Sequence, residues 1–260
     1  MASRQSRQAP LSAFVLHRYA WSESSLILDV FTREQGRIAV AAKGARRPFS
    51  QLRSVLLPFQ RIAVSLGRAS GGDEVREVDT LRGAEWAGDQ AMLTGASLFS
   101  GFYLNELLMK LLARHDPHPA LFDSYAATVA ALGRSADADA SADAQAALRA
   151  FEIVLLRDIG LLPELGIETA TRRPVRAEAR YLVLADAGVL ESRDDNAASV
   201  SGETLSALQG ALASGDLVRL QQATRLALAE LKPLLRAQLH YHLGSSQLRT
   251  RKVMMEAQAL

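Results

Sequence analysis

The sequence predicts an α+β chain of more than one domain. A small five-stranded barrel comes first, and a mostly α-helical domain with a small inserted hairpin follows. Three observations carry this. Short apolar runs split by turn residues fill the first 82 residues, the apolar spacing becomes helical after Trp86, and a strand–turn–strand pattern interrupts the helical part around residue 186.

The runs AFVLHRY (13–19), SSLILDVFT (24–32), RIAVAAK (37–43), part of LLPFQRIAVSL (56–66) and EVREVDTL (74–81) are short and rich in Val, Ile, Leu and Phe. Turn signals at Glu34–Gly36, Gly44–Pro48 and Gly67–Asp73 separate them. So many short strands without a long intervening helix suit a closed or partly closed barrel. An OB-fold is a five-stranded barrel of this kind that commonly binds nucleic acid. An SH3-like barrel fits the pattern nearly as well. The expected boundary places an OB-fold nucleic-acid-binding domain at 1–83 and the helical domain at 84–260.

From Gln90 to Arg114, Leu93, Phe99, Tyr103, Leu107 and Leu111 recur at helical spacing. A second helix starts at about Pro119, with Leu121, Phe122, Tyr125, Val129 and Leu132 inward. RSADADASADAQ (134–145) is small and acidic and reads as a surface loop. Residues 148–162 return to a helix striped by Leu148, Phe151, Leu155, Ile159 and Leu162, ended by Pro163 and Gly166. RYLVLADAGVLES (180–192) reads as a hairpin turning at Asp186–Gly188. Ser201 is an N-cap for the next helix, another helix runs from Leu217 to about Lys232 before Pro233, and Gly244 is a helix stop.

Composition narrows the function. The 260 residues contain no Cys, which excludes disulfides and thiolate metal sites. No apolar run approaches the roughly 20 residues of a membrane span, and MASRQSRQAP lacks a signal-like apolar core. A soluble cytoplasmic protein is the expectation. Net charge is only +2, yet residues 1–70 carry eleven Lys/Arg against three acids, a local +8. The remainder is therefore −6, an asymmetry that suggests a polyanion-binding module on a different body.

The basic segment AAKGARRPFSQLRS (41–54) is the sharpest feature. Lys43, Arg46, Arg47 and Arg53 stand together with no acid, and Arg33 and Arg37 flank the Gly36 turn. On a barrel these loops are expected to border one groove, with cationic heads set to meet phosphates. Phe49 is the aromatic available there for base stacking. Tyr19, Trp21, Phe31 and Phe59 are expected in the core or at its rim. A merely solvated basic loop is the competing reading.

Catalytic signatures are sparse. There is no G-x-x-x-x-G-K-[ST], G-x-S-x-G or H-E-x-x-H. The glycines of LGRASGGDE (66–74) read as a hairpin loop. His115 and His118 sit in the turn RHDPHP without a third ligand, and His240 and His242, two apart on a helix, face apart. No enzyme activity, cofactor or metal is expected. An RNA- or ribosome-associated OB-fold protein is the alternative. A nuclease or hydrolase is a third, and it would need a carboxylate cluster that residues 1–70 do not offer.

AFVLHRYAWSESSLILDVFTREQGRIAVAAKGARRPFSQLRSVLLPF (13–59) resembles the N-terminal domain of the bacterial RecO family of DNA repair and recombination mediators. GFYLNELLMKLLARHDPHPALFDSY (101–125), LRAFEIVLLRDIGLLP (148–163) and LGSSQLRTRKVM (243–254) resemble its later segments in order and spacing. The resemblance implies an OB-fold and a helical domain that bind single- and double-stranded DNA and anneal complementary strands. It also implies engagement of the C-terminal tail of single-strand-binding protein (SSB), partnership with RecR, and help for RecA in replacing SSB. Arg149 matches the family's basic position for that tail, with Phe151 beside it and Arg157 two turns on. Some members carry a four-cysteine zinc module where this chain reads IETATRRPVRAEARYLVLADAG (167–188). Without cysteine the module at about 164–199 is degenerate or absent.

Overall fold

The computed structural model describes residues 9–67, 77–88, 92–134, 138–192, 198–244, 248–250 and 253. The five expected strands are β1 (Leu11–Ala20), β2 (Leu26–Thr32), β3 (Gly36–Ala42), β4 (Arg61–Leu66) and β5 (Asp79–Trp86). They close into a barrel in the order β1-β2-β3-β5-β4, with β4 returning to β1 and one parallel pairing, β3 with β5. This is an OB-fold barrel, and the SH3-like reading falls away. A single helical turn, α1 (Leu52–Val55), connects β3 to β4.

Val15, Leu28, Val30, Ile38, Val40, Ile62 and Val64 alternate inward and fill the barrel. Burying each such side chain contributes about 1.5–3 kcal/mol. β5 departs from expectation by running on to Trp86 instead of ending at Leu81, because Trp86 still pairs with Ile62 of β4. Residues 74–76 of the expected strand, like the glycines of 70–72, lie outside the described residues.

Helices α2 (Gly95–Leu111) and α3 (Pro119–Gly133) follow. The chain forms two compact units, Met1–Val129 and Ala130–Leu260, so α2 and most of α3 belong with the barrel. The reason is aromatic. Phe14 and Phe31, neighbours across β1 and β2 on the outer face, meet Phe122 of α3 at 5.3 and 5.4 Å between ring centroids. Tyr125 closes on Phe14 at 4.9 Å, and its hydroxyl donates to Asn105 Oδ1 at 2.6 Å. Asn105 Nδ2 in turn donates to the Leu16 carbonyl at 2.9 Å, so this buried polar pair is satisfied and ties both helices to β1.

The loop between α2 and α3 covers the start of β3 where β5 does not reach. The His115 N–H donates to the Arg37 carbonyl at 2.9 Å. Gly36 makes that approach possible: its φ is +69°, and a Cβ there would lie 1.9 Å from the Asp116 carbonyl oxygen.

The second unit holds α4 (Ala138–Asp158), α5 (Gly202–Ser214), α6 (Leu217–Leu226) and α7 (Leu228–Leu243). Its small sheet joins β6 (Arg180–Leu184) to β7 (Gly188–Glu191) and β8 (Val200–Ser201). The hairpin of β6 and β7 is the expected one, and β8 was not foreseen. The expected loop 134–145 is instead helical from Ala138, with residues 135–137 outside the described set. Alanine is the strongest helix former, and Ala144, Ala146 and Ala147 are buried. α4 ends at Asp158, earlier than Pro163 requires, because Gly160 at φ +73° lets the Leu161 N–H cap the Leu156 carbonyl at 2.7 Å. The expected single helix from Leu217 breaks at Ala227. α7 then carries Pro233 internally, held by buried Leu231, Leu234, Leu235 and Leu239. Ser201 caps α5 by accepting from the Thr204 N–H at 3.2 Å, and Gly244 ends α7 at φ +69°. Most of the closing segment QLRTRKVMMEAQ lies outside the described residues.

Residues 166–175, within the region where the resemblance implies a zinc module in some family members, close on themselves by hydrogen bonds. The Glu168 N–H donates to the Arg173 carbonyl and the Arg172 N–H to the Glu168 carbonyl, both at 2.9 Å, and the Val175 N–H donates to the Gly166 carbonyl at 3.0 Å. A chain without cysteine does not fit a four-thiolate site. Among the described residues no group of three or more His, Asp or Glu gathers at metal-binding range.

Glu230 of α7 ties the small sheet to the helices. Arg180 Nη1 lies 3.2 Å from Glu230 Oε1, and both the Ser201 N–H and hydroxyl donate to Glu230 Oε2 at 3.2 Å. Burial pushes this carboxyl up, but the Ser201 and Thr204 hydrogen bonds and the Arg180 charge outweigh it, so its pKa lies below the ordinary 4.5. A carboxyl depressed on folding adds stability above its unfolded pKa and loses it as pH falls through the folded value. Glu230→Gln should therefore be less stable than the parent at pH 7, and the gap should close below about pH 4; urea titrations across pH measure it. Gly36→Ala should cost at least about 2 kcal/mol, from positive φ and the Asp116 clash together, read as a lowered urea midpoint.

Candidate nucleic-acid interface

The basic loop after β3 is folded onto the tip between β1 and β2. Gly44 turns the chain at φ +73°, and Ala45 is buried as its anchor. The Arg46 N–H donates to the Ser24 carbonyl at 3.0 Å, and Arg46 Nη1 reaches the Ser22 carbonyl at 2.8 Å. The Gly44 N–H adds a longer bond to Ser25 Oγ at 3.4 Å. The Arg47 N–H closes the turn on the Gly44 carbonyl at 3.1 Å. Lys43, Arg46 and Arg47 are thereby held on a fixed backbone and face solvent, as does Arg53 on α1. Among the described residues no carboxylate pairs with any of these four. Phe49 is 99% exposed beside them.

Arg33 and Arg37 do not join this cluster. Leu26 pairs with Ala42 at one end of the β2–β3 hairpin and Thr32 with Gly36 at the other, so they sit about 20 Å from the loop. The hairpin thus sets Arg33 and Arg37 at the end opposite the other four expected cations. Both are also engaged. Arg33 Nε and Nη2 donate to Asp123 Oδ1 and Oδ2, each at 3.0 Å, in a forked pair. Arg37 is mostly buried, with Nη1 3.6 Å from Asp29 Oδ1.

Asp29 is itself buried and shared. Arg114 Nη2 lies 3.3 Å from the same oxygen, so two guanidiniums, from β3 and from the loop after α2, converge on one β2 carboxylate. Burial, followed by the Asp29 carboxylate, pushes the Tyr19 phenol above its usual pKa.

Two aromatics missed as site residues lie at the β1–β2 tip. Phe31 and Phe59 are buried as expected, but Tyr19 is 43% and Trp21 58% exposed. The feature that turns Tyr19 outward is a register shift between Val15 and His17, while Trp21 stands in the turn beyond β1. Val15 pairs with inward Val30, whereas His17 pairs with outward Asp29 and Tyr19 with Ile27, so the bulge puts Leu16, His17 and Tyr19 all on the outer face. His17 and Tyr19 meet edge to face at 4.4 Å between centroids. On the other side of α1, an open groove of about 640 Å³ is lined by Leu52, Val55, Gly83, Glu85 and Trp86, and its carboxylate suits a phosphate poorly.

In the second unit, the three residues expected around a peptide tail do not share a face. Phe151 is fully buried on α4, and Arg149, two positions earlier, points about 200° away. Arg149 Nη1 pairs at 2.8 Å with Glu152, whose side chain is wholly buried. Arg157 donates to the Leu212 carbonyl at the end of α5. Arg149→Glu would set a second carboxylate against buried Glu152. It should cost on the order of 3 kcal/mol, and Arg149→Lys, which keeps the charge, should cost much less; urea unfolding of both variants checks this.

Comparison with known proteins bears on the whole chain. The family described as Recombination protein O N terminal matches residues 7–85, and Recombination protein O C terminal matches residues 92–252. A protein of Polaromonas sp. (strain JS666) named DNA repair protein RecO is 52% identical over 264 residues, covering 100% of both chains. One of the same name from Polaromonas naphthalenivorans is 52% identical over 261 residues, again with full coverage of both. A third, from Variovorax paradoxus, is 50% identical over 254 residues, 95% of this chain and 96% of its own.

Proposed function

The chain belongs to the RecO family of DNA repair proteins, and from that premise we propose that it is a non-catalytic DNA-binding mediator of recombination. It binds single- and double-stranded DNA through the barrel, residues 1–83, anneals complementary strands, and helps RecA replace SSB together with RecR. The helical part, 84–260, receives partners, among them the SSB tail. Its place of work is the cytoplasm at the nucleoid; no described helix is long and apolar enough to cross a membrane.

The observation that supports this reading is the cluster of Lys43, Arg46 and Arg47 on the ordered Gly44 turn with Arg53 on α1, none of which pairs with a carboxylate among the described residues. Mobile cations lose side-chain and loop entropy on meeting phosphates, whereas these sit on a backbone already ordered. Their contacts are with phosphate, not with base edges, which suits a protein that accepts any sequence. Annealing follows from the same charge, because two strands repel until a cationic surface neutralises both. Family membership favours DNA over the RNA or ribosome alternative. For the SSB tail, Arg149 is the cation on the face of α4 away from Phe151, so Phe151 supports the helix from within and Arg157 is engaged at α5.

Four phosphate contacts to a single strand would give log K against log salt a slope of about −3. Arg46→Ala with Arg47→Ala should reduce the slope to about −1.5 and weaken binding alike for all sequences. Fluorescence anisotropy with labelled oligonucleotides over a salt series measures both. An unchanged affinity and slope would return the loop to a solvated surface.

A further inference from the structure

We infer that Tyr19 and Trp21 form a stacking platform for the unpaired bases of a single strand whose phosphates run along Lys43, Arg46 and Arg47. The inference rests on the DNA-binding reading and adds a second kind of contact to it, one made to bases.

Four observations support it. Trp21 stands at a polar turn with more than half of its surface in water, so much of a large apolar ring is left uncovered by the fold. The turn beneath it is fixed, since the Trp21 N–H donates to the Ser25 carbonyl at 3.2 Å. Tyr19 is held at its polar end beside Asp29 and at its edge by His17, which leaves ring surface open without leaving the ring mobile. Arg46 ties the two components together, because its guanidinium holds the Ser22 carbonyl, one residue from Trp21, while the side chain stays exposed.

Tyr19, near the end of β1, and Trp21, in the turn just after it, are two residues apart, so two exposed rings share one tip. Glu23 and the buried, arginine-paired Asp29 are the acids of β1, β2 and the turn between them, against Lys43, Arg46 and Arg47 on the adjoining loop. The surface is thus aromatic beside cationic, the combination that binds single strands without reading sequence. A duplex keeps its base faces buried in its own stack and can offer only phosphates. The platform therefore gives a preference for single strands, while the cations serve both forms.

The test uses the full chain carrying Trp86→Phe, so that Trp21 is the sole tryptophan of the original two. It is titrated with an oligothymidylate, with an abasic oligomer of equal length, and with a duplex. Oligothymidylate should quench Trp21 emission at least about twofold, and the other two should leave it nearly unchanged. Trp21→Ala and Tyr19→Ala should each weaken oligothymidylate binding about tenfold, with abasic and duplex affinities within about twofold of the parent. Equal weakening on abasic and thymidine strands would overturn the inference, since the rings would then only position the cations. So would unaltered affinity for all three, which would leave Trp21 to a protein partner. If the parent binds none of the three, the DNA-binding reading fails first and takes the platform with it.

Discussion

A sheet of only five strands closes into a barrel if its strands coil hard and break their alternation somewhere. Here the break is the bulge at Leu16, and much of the first unit depends on it. Before the bulge, Ala13 and Val15 face the core while Phe14 faces outward to meet Phe122 and Tyr125. At the bulge the Leu16 carbonyl is presented to Asn105, which holds α2 in place. Beyond it His17 and Tyr19 are turned outward, and without the extra residue they would point into the barrel. The Asn105 tie to α2 and the outward turn of His17 and Tyr19 both follow from this one extra residue, while a second register shift, between Ser65 and Leu66, lies in the β4–β5 pair.

The same economy governs charge. Of the three acids in the first 70 residues, Asp29 is buried against Arg37 and Arg114, and Glu34 accepts from the Ser12 N–H at 3.1 Å. Asp123, from α3, occupies Arg33. Carboxylates are thus used where cations are anchored to the fold, and among the described residues the cations from Lys43 to Arg53 receive none. Two groups of arginine that look alike in sequence differ in what they can do: one locks the β2–β3 hairpin to its neighbouring helices, and the other remains available to an external anion. A further consequence is that exposed charge and exposed aromatic surface meet at the β1–β2 tip, where Arg46 bonds to the Ser22 carbonyl.

In the second unit, polar groups and tight turns hold the small sheet in place. The turn at 166–175 is closed by backbone bonds, and Gly188 at φ +78° sits where a Cβ would lie 2.1 Å from Thr169 Oγ1. Arg180, Ser201 and Glu230 then join β6, β8 and α7 into one network. Such a region needs no thiolate to hold its shape, which accounts physically for a cysteine-free chain keeping a sheet in this place.

The sequence by itself determined the order of elements. Period-two runs specify strands and 3.6-residue stripes specify helices through local side-chain direction alone, so the barrel strands, the hairpin at 180–192, the Ser201 cap and the Gly244 stop were legible. Net charge likewise marked the basic loop and its acid-free neighbourhood. The alanine-rich start of α4 was misread because small residues give no apolar stripe until something packs on them. Tertiary structure alone decided which cations remain available, since Asp29 and Asp123 reach their arginines across strands and from a helix up to 90 residues away. It alone separated Arg149 from Phe151 in role and turned Tyr19 outward. A bulge shifts register without leaving a mark in composition, because its cause is the curvature of a sheet that exists only once all five strands have closed.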